Sequence, residues 1–179
     1  MARSDKYEFR QNPASGETVQ SAVRLIKLIL RDGTGLLLQH RRMVIDAALW
    51  KITEAESRHK HRTRFCSQTV FLSPGCDCRH DHVFQRARMI DDLIRGGPNC
   101  ADEVVSRAVA CTITREEHSA LNRHKDLDGW ERYREAGITV IDAQTGQEFR
   151  ASLSGSGSGD AIADDQQPKT NDSRLRTNH

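Results

Sequence analysis

Between Thr18 and Leu30, the residues Val23, Ile26, Leu28, Ile29 and Leu30 form a broad apolar stripe among polar neighbours. That is the spacing of an amphipathic helix. Asp32-Gly33-Thr34-Gly35 is a turn signal that ends it. A second, longer helix is expected from about Leu36 to Glu56. There Met43, Ala47 and Trp50 fall at i, i+4 and i+7, with Val44 and Ala48 beside them, which predicts one buried face. The two helices should form an antiparallel hairpin, with Leu36-Leu37-Leu38 as a helix–helix contact or part of a dimer seam.

Downstream the pattern changes. Phe65 to Leu72 is β-prone and bounded by Ser73-Pro74-Gly75, the mark of a strand and turn. Ala87 to Arg95 and Ala101 to Arg107 have helical spacing. Ala108 to Ile113 predicts a short strand that runs into Thr114-Arg115-Glu116-Glu117, a capping box. A helix from Arg115 to about Arg123 follows, with His118 in its first or second turn. Trp130 to Glu135 predicts a short helix, Ile138 to Asp142 a strand and Gln144-Thr145-Gly146 a turn. Trp50 and Trp130 sit among periodic apolar residues and are expected in the core. The fold class is therefore α+β: an N-terminal helical hairpin packed with a small, mainly antiparallel sheet and short helices.

Residues 1–16 are polar, with Pro13 and Gly16, and are expected to be a flexible arm. Residues 17–150 form the single domain. From 151 to 179 apolar residues are nearly absent, and such a stretch cannot offset its ordering entropy, so a disordered tail is expected. About 130 residues remain for the fold, enough to bury one core without disulfides. Val23 to Leu30 is too short and too charged to span a bilayer. A cytoplasmic location is expected, with cysteines 66, 76, 78, 100 and 111 as thiols or metal ligands.

Net charge is only +2 over 179 residues, so global charge announces no partner. Its distribution does. Arg58-His59-Lys60-His61-Arg62-Thr63-Arg64 is a dense basic run. Arg58, Lys60, Arg62 and Arg64 are candidate phosphate contacts that would position a nucleic acid without reading its sequence.

The stretch Cys76-Asp77-Cys78-Arg79-His80-Asp81-His82-Val83-Phe84 precedes the short strand and the capped helix carrying His118. Over residues 66–123 this resembles the HNH, or ββα-metal, endonucleases, in which an acidic-His pair ends the first strand and a His or Asn sits on the following helix. The resemblance implies a ββα-like core and hydrolysis of DNA phosphodiester bonds. It makes His82 the general base and Asp81 and His118 ligands for a divalent cation, Mg²⁺ or Mn²⁺, with zinc as the transition-metal alternative. A neutral imidazole can take a proton from water near neutral pH, and the cation would polarise a phosphoryl oxygen. The stretch from Trp50 through Asp142 also resembles uncharacterised actinobacterial proteins, a likeness that carries no activity.

Two other readings stay open. One is a non-catalytic accessory protein on the same scaffold, binding nucleic acid or a protein through the basic loop. The other is a zinc-stabilised regulatory protein. Cys76-x-Cys78-x-His80-x-His82 alternates ligand-capable residues, which an extended segment turns to one side. Cys76, Cys78 and Cys111 are then the candidate zinc ligands, with Cys100 or His118 in reserve.

Overall fold

The computed structural model describes residues 7–151 apart from 60 and 74. The tail expected to be disordered falls, beyond residue 151, outside the described residues, as do positions 1–6 and Lys60.

The chain opens with α1 (Ser15–Asp32). A short 3₁₀ turn over Gly33–Gly35 leads into α2 (Leu38–Ala55). The trough between the two helices is lined by Thr18, Ala22 and Leu25 of the first and Ala47, Ala48 and Lys51 of the second, so they run antiparallel. The expected hairpin is present, but its second helix buries a different face. Met43 is 65% exposed, and the buried residues are Ile45, Ala48, Leu49 and Ile52. This helix is apolar on more than one side, so its periodicity does not choose a face. The choice falls to the partners, Ile26 and Leu30 of α1 and, further on, Met89, Ile90 and Leu93. Ile26, Ile45, Leu49 and Leu93 are each 0% exposed, a burial that contributes roughly 1.5–3 kcal/mol per side chain. Leu36, Leu37 and Leu38 stay exposed.

The rest of the chain follows as β1 (Phe65–Ser67), α3 (Gln68–Leu72), β2 (Cys78–His82), α4 (Arg86–Gly96) and α5 (Ala101–Ser106). Then come β3 (Ala110–Thr114), α6 (Arg115–Leu121), α7 (Gly129–Glu135), β4 (Val140–Asp142) and β5 (Gln147–Glu148). The β-prone run from Phe65 stops as a strand at Ser67, whose hydroxyl accepts a bond from the Val70 amide and caps α3. The capping box at Thr114 is formed in both directions.

The five strands make one sheet in the order β2-β3-β1-β4-β5. Only β1 and β3 run parallel; the other neighbours are antiparallel. The architecture is α+β and mainly antiparallel, as expected.

Residues from Tyr7 onward are fastened rather than loose. Tyr7 is buried and its hydroxyl donates to the Thr63 carbonyl at 2.8 Å. Gln11 bridges Ser57, and the Arg58 amide donates to the Arg10 carbonyl. Composition suggests an arm here, but one buried tyrosine and these backbone bonds outweigh it.

Candidate functional site

β2 is an edge strand, and consecutive side chains of a strand point to opposite sides of the sheet. Its pairing with β3 sets Asp81 opposite Cys111, and His80 and His82 opposite Thr112 and Ala110. Asp81 and His82 therefore face opposite ways.

On one side, Asp81 Oδ2 accepts from Arg132 Nη2 at 2.5 Å and from the Tyr133 hydroxyl at 2.6 Å. Arg132 also donates to the His82 carbonyl at 2.9 Å, which ties α7 to β2. Both charged side chains are about nine-tenths covered. The carboxyl of Asp81 is held above its usual range by burial, which outweighs the pull of Arg132, Tyr133 and His118. α7 reaches this position through a close approach. Gly129 has φ +60°, and a Cβ there would meet Phe84 Cε1 at 2.7 Å. The preceding loop docks onto α4's entry, with Gln85 N donating to Asp128 Oδ1 at 2.7 Å.

His118, on the capped α6, brings Nε2 to 3.8 Å from Asp81 Oδ1. That is near enough for attraction when the ring is charged and too far for a hydrogen bond. Asp81 and His118 thus share one side, where the antiparallel β2–β3 pair is followed by α6, with α4 and α5 between the two strands in the chain.

His82 lies on the other side, under α2. Its ring is 4.9 Å from that of Trp50 and 5.3 Å from that of His80. Arg86 lies over Trp50 at 4.7 Å and pairs with Asp46. His82 Nε2 is buried and makes no hydrogen bond. Burial, then the nearby charges of Arg86 and His80, push its pKa down to about 3. A base of that strength takes protons poorly from water near neutral pH.

Of the expected cation ligands, Asp81 is paired with a guanidinium and His118 lies 3.8 Å from it, while His82, the expected base, faces the other way. Among the described residues, no group of three or more His, Cys, Asp or Glu side chains converges as a metal site requires. The zinc set divides in the same way. Cys111 is 0% exposed beside Asp81's partner Tyr133, while Cys76 and Cys78 pack with Cys66 and Val70 across the sheet.

The basic run forms the loop between α2 and β1. Arg58, His59 and His61 are exposed, and Arg62 lies over the Tyr7 ring at 5.8 Å. The Glu8 carboxyl is lowered first by its hydrogen bond from Arg10 and further by Arg62 and His59, so these groups cluster. Arg64 departs from its expected role. It is engaged by Asp142, with Nη2–Oδ2 at 2.8 Å, and it staples the loop to the end of β4.

Arg132, Tyr133 and Trp50 were not anticipated at these sites. Arg132 and Tyr133 lie some fifty residues from Asp81 along the chain, and no local spacing links them. The strand alternation that grouped Cys78, His80 and His82 was the available signal that Asp81 and His82 part company.

No protein-family model, curated protein or solved structure matches the chain.

Proposed function

We propose that this is a non-catalytic nucleic-acid-binding protein on a ββα-like scaffold, contacting phosphates through the loop at 58–64. The observation that carries this reading is the division of the acidic-His pair. Asp81 is locked to Arg132 and Tyr133 on one side of β2, and His82 is packed under Trp50 on the other. A hydrolytic centre needs those groups on one reacting phosphate. What remains cationic at the surface is the loop, with Arg58 exposed and Arg62 half-buried over Tyr7, on a backbone whose amides bond to Arg10 and His59. Such a patch binds phosphates by releasing counterions.

The test is fluorescence anisotropy with a short DNA duplex across a salt series. Binding should weaken steeply with salt. Arg58→Ala with Arg62→Ala should lower the slope of log K against log[salt] by about 2, at roughly 0.9 per lost contact. Arg64→Ala should change the slope little. A parallel assay on supercoiled plasmid with Mg²⁺, Mn²⁺ or EDTA should show no nicking. Cation-dependent nicking that His82→Ala removes would overturn this reading in favour of an endonuclease.

A further inference from the structure

Just ahead of the His80–His82 stretch, Cys76 Sγ and Cys78 Sγ lie 3.2 Å apart, and the Cys78 thiol donates to the Cys76 carbonyl at 3.2 Å. Both side chains are partly exposed. The other three cysteines differ. Cys66 and Cys111 are buried, and Cys100 donates to the Gly97 carbonyl at 3.1 Å. The pair sits at the start of the edge strand, where the Asp77 carbonyl between them accepts from the Arg115 amide. That bond prolongs the ladder by one residue, while Cys76 itself lies at a bend, its amide donating to the Ser73 carbonyl.

Two chemistries suit a pair of thiols, and geometry separates them. Two thiolates on a tetrahedral zinc, with bonds of about 2.3 Å, stand about 3.8 Å apart and need further donors. Here the sulfurs are closer than that, and among the described residues no third donor completes a metal group. A disulfide needs only the two sulfurs. The bond is about 2.05 Å long, so the 3.2 Å approach leaves roughly 1 Å to close, which the bend at Cys76 and a rotation about each Cβ–Sγ arm can supply.

The geometry points to Cys76 and Cys78 as a redox-active dithiol that exchanges with low-molecular-weight disulfides of the glutathione class. In the first step the Cys76 thiolate attacks one sulfur of the disulfide RSSR. A Cys76–S–S–R bond forms, and RS⁻ leaves. In the second step the Cys78 thiolate attacks the Cys76 sulfur. The Cys76–Cys78 bond forms and the second RS⁻ leaves. The two thiol protons end on the two RS⁻ groups, so two cysteines are oxidised and one RSSR is reduced to two RSH. The Cys78 thiol is pushed up to about 12, first by burial and then by its contact with the Cys76 thiol.

The test uses the full chain, folded by circular dichroism, in buffers of graded oxidised-to-reduced glutathione. Quenching with an alkylating agent, digestion and fragment mass spectrometry then report each cysteine. The wild type should lose two alkylation sites together, Cys76 and Cys78, while Cys66, Cys100 and Cys111 stay alkylated after denaturation. C78S should accumulate one glutathione on Cys76, and C66S should form the same bond as the wild type. Persistence of all five thiols at the most oxidising ratio would overturn the inference. So would a stable mixed disulfide in the wild type, or failure of folded C66S to form the bond.

Discussion

Asp81 and His82 are neighbours on one strand, and the fold treats them in opposite ways. Asp81 is buried with an ionic and hydrogen-bonding escort, Arg132 and Tyr133, both on α7. His82 is half-buried among rings, Trp50 and His80, its Nε2 fully covered, with Arg86 above them. Burial shifts each toward its neutral form, raising the acid and lowering the base. His82 is thereby a poor base near neutral pH, while Asp81 is drawn toward its protonated form. The difference shows how one edge strand is fixed to two layers: a charged clasp holds α7 to it, and an aromatic stack holds α2.

The largest test of that contrast is Arg132→Met. It leaves the Asp81 carboxylate buried beside Tyr133 without its cation, and breaking such a pair costs about 3–5 kcal/mol. Urea unfolding at pH 7 measures it. A cost under about 1 kcal/mol would mean that Asp81 is not held as an ion, and the two sides of the strand would then be alike. Combining the change with Asp81→Leu should recover much of the loss, because no charge then remains unpaired.

The next test is pH. His82 has a folded pKa of about 3, below its ordinary value of 6.5. Between those values the unfolded chain binds the extra proton, so stability rises with pH. The contribution is fully present above pH 6.5 and is lost as pH falls toward 3. The slope is at most about 1.4 kcal/mol per pH unit for one group. His82→Phe should flatten the profile there while changing neutral-pH stability by less than the Arg132 variant does. Asp81 has the opposite sign. Its folded pKa is raised, so the folded chain takes the proton first, and its contribution improves as pH falls through that value toward 3.8. An unchanged slope in His82→Phe would show that the ring is already charged in the fold.

Much of this was legible in the sequence, and the reasons are local. Thr114 and Glu117 announce their helix because the capping box is a contact within four residues. The hairpin is written in α1's stripe and the Asp-Gly turn. Ser67 misled because a single hydroxyl turned the end of a β-prone run into a cap. Met43 misled because α2 carries apolar residues on more than one side, and only its neighbours decide which are covered. The site was half legible. Placing Asp81 near His118 was what the family resemblance implied, and the two lie 3.8 Å apart. The clasp did not, since Arg132 and Tyr133 meet Asp81 only after α7 docks through Gly129 against Phe84. Arg64 reads as a free cation beside other cations until Asp142, near the end of the domain, pairs with it.

The smallest expected effect comes from Thr53→Val on the histidine side. Thr53 Oγ1 donates to the Trp50 carbonyl at 3.0 Å and lies 3.3 Å from His80 Nε2. If the rings and the cation over Trp50 hold this side together, removing one hydroxyl while keeping its shape should cost about 0.5–1.5 kcal/mol, the ordinary net value of a hydrogen bond. His80→Phe should then cost little more, since it keeps the ring next to Trp50. Thermal unfolding of both variants at pH 7.5 measures the cost. A loss above about 2 kcal/mol in Thr53→Val would show a hydrogen-bonded network where an aromatic stack is inferred. Both sides of β2 would then be polar clasps, and the contrast between Asp81 and His82 would reduce to the sign of one charge.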